Sequence, residues 1–316
     1  LSLKVSKIAE QANSAVLGQY GDTAVLVTAT MGKTDRDTDY FPLVVDYEEK
    51  FYAAGKIIGS RFIRREGRPS EEATLSGRMI DRILRPLFNS RMRRDVQIVI
   101  TILSYDEEND PDFISLLSAS TALAISDIPW NGPAAGVRLA KIKGGDLMIN
   151  PLKSQINGGE FLFESFVGGN ENKINMIELI ANEVNENEVV ESFEIAQEEI
   201  KKLIQFQKEI IAKIGKPKAE VILVEPDPNL KHKVQEFLLR RETVGVPAGA
   251  SGRNKLESAV YVSDKGEQNE NLRKLKEDLK EYLVTEGLIP EGIDSIIEEE
   301  IDKLIHKNIL ETDKRP

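Results

Sequence analysis

Near residue 188 the sequence changes its repeat. Upstream, short β-branched runs alternate with turn residues: "AVLGQYGDTAVLVTAT" (15–30) sets Gly21-Asp22 between two such runs, the signature of a tight hairpin. "GVRLAKIKGGDLMINP" (136–151) does the same around Gly144-Gly145, and "EFLFESFVGG" follows as another strand. "FPLVVDY" (41–47) and "VQIVITILSY" (96–105) read as further strands, the second apolar enough to be buried on both faces. "PDFISLLSASTALAISD" (111–127) opens a helix on a proline. Downstream the period becomes helical: Phe193, Ala196, Ile200, Leu203, Ile210 and Ile214 share one side of a long helix that Gly215, Lys216 and Pro217 end. Past Pro228 the chain reads as amphipathic helix throughout, interrupted by the Gly- and Ala-rich "VGVPAGASGRNK". At 316 residues the chain exceeds what one core usually supports, about 250–300. The expectation is therefore an α+β domain of mixed β-sheets and helices over 1–214, followed by a small all-α domain over 215–316.

Composition removes several chemistries. The absence of cysteine excludes disulfides, thiol nucleophiles and thiolate metal sites, and fits a reducing cytoplasm. The two histidines, His232 and His306, lie far apart in charged helical sequence, so neither a His-based metal site nor a triad is expected. No apolar run approaches the roughly 18 residues of a membrane span, and "LSLKVSKIAEQ" does not read as a signal peptide.

The net charge is −11, yet residues 61–94 hold ten arginines against four acids, and no lysine. Arginine grips phosphate with a planar fork and stacks on bases, whereas lysine serves solubility equally well. Gly59-Ser60 and Gly67-Pro69 mark 59–69 as a loop carrying Arg61, Phe62, Arg64, Arg65 and Arg68. Ser70 then caps a helix that runs to Pro86. On it Arg78, Arg82 and Arg85 recur at i, i+4, i+7, with Leu75, Met79, Ile83 and Leu87 on the opposite, packing side. One reading is a surface for unpaired nucleic acid, held by phosphate contacts and base stacking without sequence preference. The other is a solvated helix face with arginines paired to acidic neighbours.

The stretch "YGDTAVLVTAT…DYFPLVVDYEEKFYAAGKIIGSRFIRREGRPSEEATLSGRMIDRILRPLF" resembles the polynucleotide phosphorylase family, with "YAAGK", "REGRPSE", "IDR..RPLF" and "DIPWNGP" in order. The resemblance runs along essentially the whole chain and implies a first ribonuclease PH-like core domain followed by an α-helical linker domain. It further implies a homotrimeric ring whose pore admits single-stranded RNA, with no DNA or membrane partner expected and a cytoplasmic location. Phe62 would stack a base, and Arg64 and Arg65, with Arg61 and Arg68, would hold phosphates. Ile63 departs from the family's second aromatic at that loop. Arg78, Arg82 and Arg85 are candidates for RNA or phosphate contact.

The family reaction is phosphorolysis, in which inorganic phosphate releases nucleoside diphosphates from the RNA 3′ end. Its serine-rich phosphate loop and Asp-x-Asp-x-Lys strand, which works with magnesium or manganese, belong to a second core domain expected beyond Pro316. Here the serine loop falls on Asp110, Pro111 and Asp112, and the aspartate strand on Phe161, Phe163 and Ser165. No catalytic or metal-binding residue is therefore expected in this chain, which reads as the RNA-holding, scaffolding half of the enzyme. The alternative is a non-catalytic RNA-binding ring subunit or assembly platform.

Overall fold

The computed structural model describes residues 1–5, 8–57, 67–157, 159–240, 254–290 and 292–316. Two compact units emerge, Leu1–Leu223 and Val224–Pro316. The first is α+β and built on two sheets. Strands β1 (Ser2–Val5), β2 (Ser14–Tyr20), β3 (Thr23–Asp35), β4 (Leu43–Glu48) and β5 (Arg94–Ser104) form a sheet in the order β1-β2-β3-β5-β4, antiparallel except for the parallel β4–β5 pair. The hairpin expected at Gly21-Asp22 is present: Tyr20 pairs with Thr23, and Gly21 takes φ +60°, where a side chain would strain the backbone. Strand β5 is not buried on both faces. Val96, Ile98, Ile100 and Ile102 are inside while Gln97 is exposed, because the helices cover only one side of this sheet edge.

Strands β6 (Ala135–Ile142), β7 (Met148–Ile149), β8 (Phe161–Gly169) and β9 (Ile174–Ala181) make the second, antiparallel sheet in the order β7-β6-β8-β9. Helix α2 (Pro111–Ile125) packs against β2 and β3 of the first sheet and β6 of the second, and thirteen of its fifteen residues are buried. A helix apolar on every side belongs inside. The long helix α4 (Glu186–Ile214) closes this core through Ala196, Ile200 and Ile204. Its fully buried Gln207 accepts from Ser120 Oγ (2.6 Å) and Thr121 Oγ1 (3.2 Å) and donates to Ala134 O (2.8 Å). One amide thereby pairs polar groups of α2 and the β6 approach that have no access to water.

The first unit runs past the boundary that the sequence placed after Ile214. Lys216 N donates to Ile125 O, Ala219 N to Asp127 O, and Lys218 Nζ reaches the carbonyls of Leu123, Ala124 and Ser126 at the end of α2. A lysine at a helix carboxyl end satisfies orphan carbonyls, which keeps 216–223 on the first unit. The second unit comprises α5 (Pro228–Leu238), α6 (Lys255–Val260), α7 (Lys265–Thr285) and α8 (Ile293–Thr312), with its own core of Val234, Leu238, Leu279, Leu283, Ile296 and Ile297.

Replacing Gln207 by Leu leaves Ala134 O without its buried donor and Ser120 Oγ without its acceptor, while Thr121 keeps Leu117 O. We expect a loss of about 2–4 kcal/mol in urea unfolding of the first unit, with helix and strand content unchanged by circular dichroism.

Candidate nucleic-acid interface

Helix α1 (Glu71–Leu84) starts where the sequence placed it: Ser70 is the N-cap, its Oγ accepting from Ala73 N at 2.9 Å, with Glu71 and Glu72 in the first turn. Ser70 Oγ also donates to Glu49 Oε2 (2.8 Å), tying the helix start to the end of β4. The buried side of α1 is Ala73, Gly77, Met79, Ile80, Ile83 and Leu84, and Gly77 sits so close to β4 that a Cβ would lie 3.3 Å from Val45 O. This approach turns Leu75 outward, 60% exposed, whereas the sequence put it on the packing side.

The arginines separate into two populations. Arg85 is half-buried and engaged: it pairs with Asp81 and donates to Phe41 O and Leu43 O, locking α1 to the start of β4. Of the three fates open to it, pairing with an acidic neighbour is the one seen. Arg93 is buried against Ser90 O, Met92 O and Asp39 O, and Arg94 pairs with Asp35. By contrast Arg68, Arg78 and Arg82 are exposed and make no ion pair or hydrogen bond with any described residue. Arg61, Phe62, Arg64 and Arg65 lie outside the described residues.

Beside α1 opens a cleft of about 1180 Å³ whose floor the sequence pattern did not assemble. Arg138, from the middle of β6, donates through Nε to Asp110 and through Nη1 to Glu164 Oε1, while Nη2 lies 3.7 Å from Asp112 Oδ2. Its flat face lies 5.6 Å from the Phe166 ring centroid. Burial disfavours the charge, but Asp110 and then Glu164 raise the guanidinium above its ordinary value. Asp110 is also the N-cap of α2, accepting from Asp112 N. Asp112 accepts from Ser76 Oγ of α1 (3.0 Å) and hydrogen-bonds to Tyr47. Burial, and then the neighbouring Asp110 charge, push its carboxyl from 3.8 up to about 6.

Phe163 and Ser165 are buried strand residues, with Ser165 Oγ donating to Glu178 O. The intervening Glu164 is the residue that faces the cleft. Arg138 in "AGVRLAKI" and a lone Glu in "FLFESFVGG" were the signal for it, since a charge within an apolar strand needs a partner. Among the described residues no group of three or more acids or histidines is arranged to hold a metal ion, the cleft carboxylates being turned onto Arg138.

A mixed two-sheet domain with a buried central helix is the fold of the ribonuclease PH class, and residues 1–129 match the 3′ exoribonuclease family, domain 1. Residues 1–129 thus carry a domain of that family. Over its full length it is similar to the amino-terminal region of polyribonucleotide nucleotidyltransferases. It is 40% identical to that of Macrococcus caseolyticus and 41% identical to that of Staphylococcus epidermidis, in both cases over 100% of this chain, covering 43% and 44% of the relatives. The Geobacillus kaustophilus protein is 40% identical over 92% of the chain and 42% of its own length. The chain thus spans less than half the length of the curated relatives it matches.

The raised Asp112 carboxyl carries a pH signature. A buried acid whose folded value exceeds its unfolded one costs nothing below pH 3.8, and the cost grows until the pH passes about 6. The stability of Asp112→Asn relative to the parent should therefore improve on going from pH 4 to 7.5, by on the order of 2 kcal/mol. Urea titrations at the two pH values check this, and an unchanged difference would contradict it.

Proposed function

We propose that this chain is the RNA-holding and scaffolding part of a phosphorolytic 3′-to-5′ exoribonuclease of the polyribonucleotide nucleotidyltransferase type, acting in cytoplasmic RNA turnover as a homotrimeric ring. The carrying observation is the division of the arginines: Arg138 in the cleft is surrounded by carboxylates, while Arg68, Arg78 and Arg82 stand exposed with no partner among the described residues. An arginine already neutralised gives no grip on inorganic phosphate, whereas exposed guanidinium groups free of carboxylates suit an RNA backbone. Arg138 is therefore already committed to carboxylates, and the phosphate loop and charge stabilisation that phosphorolysis requires are looked for elsewhere.

Those groups are assigned to a second core domain with a serine-rich loop and paired aspartates that hold magnesium or manganese. Among the described residues no acidic group is arranged to hold a metal, the cleft carboxylates each pairing with Arg138, and no step is routed through one here. Phe62, Arg64 and Arg65, with Arg61, are kept as the stacking and phosphate-gripping loop on the family resemblance, and Arg68 joins them from the described residues. Single-stranded RNA is the partner this arrangement suits.

Two measurements test the reading. Arg78→Ala with Arg82→Ala, and separately Arg64→Ala with Arg65→Ala, should weaken single-stranded RNA binding and flatten its log K against log salt slope by roughly 0.7 for each phosphate no longer held. Unchanged slopes would defeat the RNA assignment. The 316-residue chain mixed with RNA and inorganic phosphate should release no nucleoside diphosphate. Release at a rate dependent on Arg138 would put the chemistry in this chain after all.

A further inference from the structure

We propose that the free edge of the second sheet, strand β9, is a docking site for an extended peptide of another protein, one that alternates apolar residues with lysine or arginine. The inference is independent of RNA binding by the α1 arginines.

The two sheets have four edges, and three of them are protected. Strand β1 is four residues long and carries the exposed Lys4. Helix α1 lies against the carbonyls of β4: a Cβ on Gly77 would stand 3.3 Å from Val45 O, and Arg85 donates to Leu43 O. Strand β7 is two residues long and leads to the short helix α3 (Lys153–Ile156). Strand β9 has none of these protections. It runs for eight residues, pairs only with β8 among the described strands, and contains no lysine, arginine or proline. Its one irregularity is at its start, where Gly168 and Gly169 face Met176 and Ile174. Edges are ordinarily kept short, charged, bulged or covered, because a row of unpaired N–H and C=O groups is a template for another strand.

Apolar side chains accompany that edge. Ile177 and Leu179 stand opposite the buried Val167 and Ser165 of β8, so they point to the same side of the sheet, yet they are 45% and 43% exposed. Helix α4 lies on that side, since Lys141, opposite Phe163, reaches Glu188 at 2.8 Å. The helix continues the apolar surface: exposed Val190 and Ile195 line, with Phe193 and Ile174, a groove of about 690 Å³. A strand added to β9 would set alternate side chains along Ile177, Leu179 and this groove. Main-chain hydrogen bonds would hold it, and the groove would select its side chains.

Charge identifies the occupant. Between Asn170 and Ile200 the chain holds nine glutamates and one base, Lys173. Glu171, Glu188, Glu198 and Glu199 pair with lysines. Glu178, Glu183, Glu186, Glu191 and Glu194 are exposed and make no ion pair with any described residue. A second copy of the chain, paired edge to edge, would bring Glu178 of each strand towards that of the other, and like charges across a ladder are destabilising. A strand with lysine or arginine between its apolar residues neutralises these carboxylates instead.

Fluorescence anisotropy of the 316-residue chain with labelled, end-blocked peptides of about nine residues tests the assignment. A peptide alternating valine with lysine should bind at least about tenfold more tightly than one alternating valine with glutamate, and at least about tenfold more tightly than its own copy N-methylated along the backbone. Ile177→Thr with Leu179→Thr, both at exposed positions, should weaken the valine-lysine peptide at least about fivefold with an unchanged circular dichroism spectrum. Glu194→Lys should weaken it too, whereas Glu209→Lys, the same charge change farther along α4, should not. Amide hydrogen exchange within 174–181 should slow when the peptide is bound. Equal binding of the three peptides, equal effects of the two lysine substitutions, unaltered exchange in 174–181, or no binding at all would each overturn the proposal. So would a smaller assembly by light scattering for the double threonine variant than for the parent, which would make the edge a contact between copies.

Discussion

Arg138 stands where the second sheet meets the amino end of α2, and the carboxylates around it decide what the cleft can hold. Its guanidinium bridges the N-cap of α2 through Asp110 and the neighbouring strand through Glu164, and Asp112 continues the network to Ser76 on α1 and Tyr47 on β4. One cation thus links the second sheet to α2, and Asp112 extends the link to α1 and β4. Such a buried cluster is costly to assemble unless every member is paired, and burial still leaves Asp112 with an elevated carboxyl. The same pairing that makes the cluster tolerable occupies the guanidinium.

The outer surface follows from how α1 is seated. Gly77 lets the helix lie directly on β4, and Arg85 fixes its far end to the carbonyls of Phe41 and Leu43. With those contacts made, the helix has no rotational freedom left, so Arg78 and Arg82 must face solvent, and Leu75 with them. An exposed apolar side chain flanked by arginines with no described partner is poor design for a face that only has to stay in solution.

Much of this was legible in the residues. The hairpin at Gly21-Asp22, the Ser70 cap and the switch to helical periodicity are local signals, determined by neighbours within a few positions. What the pattern did not reveal depends on distant partners. Leu75 repeats at packing spacing, yet the close approach at Gly77 rotates the helix away from it. The boundary after Ile214 looked like a helix end followed by a linker, but Lys218 finds three carbonyls nearly a hundred residues earlier. The cleft needed Arg138, Asp110 and Glu164 to meet from three elements, and only the oddity of charges in apolar strands hinted at it. The ten arginines read as one cluster because sequence counts charge and not partners.

Partners also explain why an acidic protein can present a basic surface. Arg85, Arg93 and Arg94 are held by carboxylates or carbonyls within the first unit, and they contribute little field outside it. Arg68, Arg78 and Arg82 have no such compensation among the described residues, so their field extends into solvent over roughly a Debye length, about 8–10 Å at physiological salt. The whole chain carries −11 with these arginines included, so the remaining surface is more negative still and repels nucleic acid in general, which strengthens the contrast with the arginine face. Where a positive field persists is therefore set by which arginines the fold leaves without carboxylates, a property that the total count of arginines does not determine.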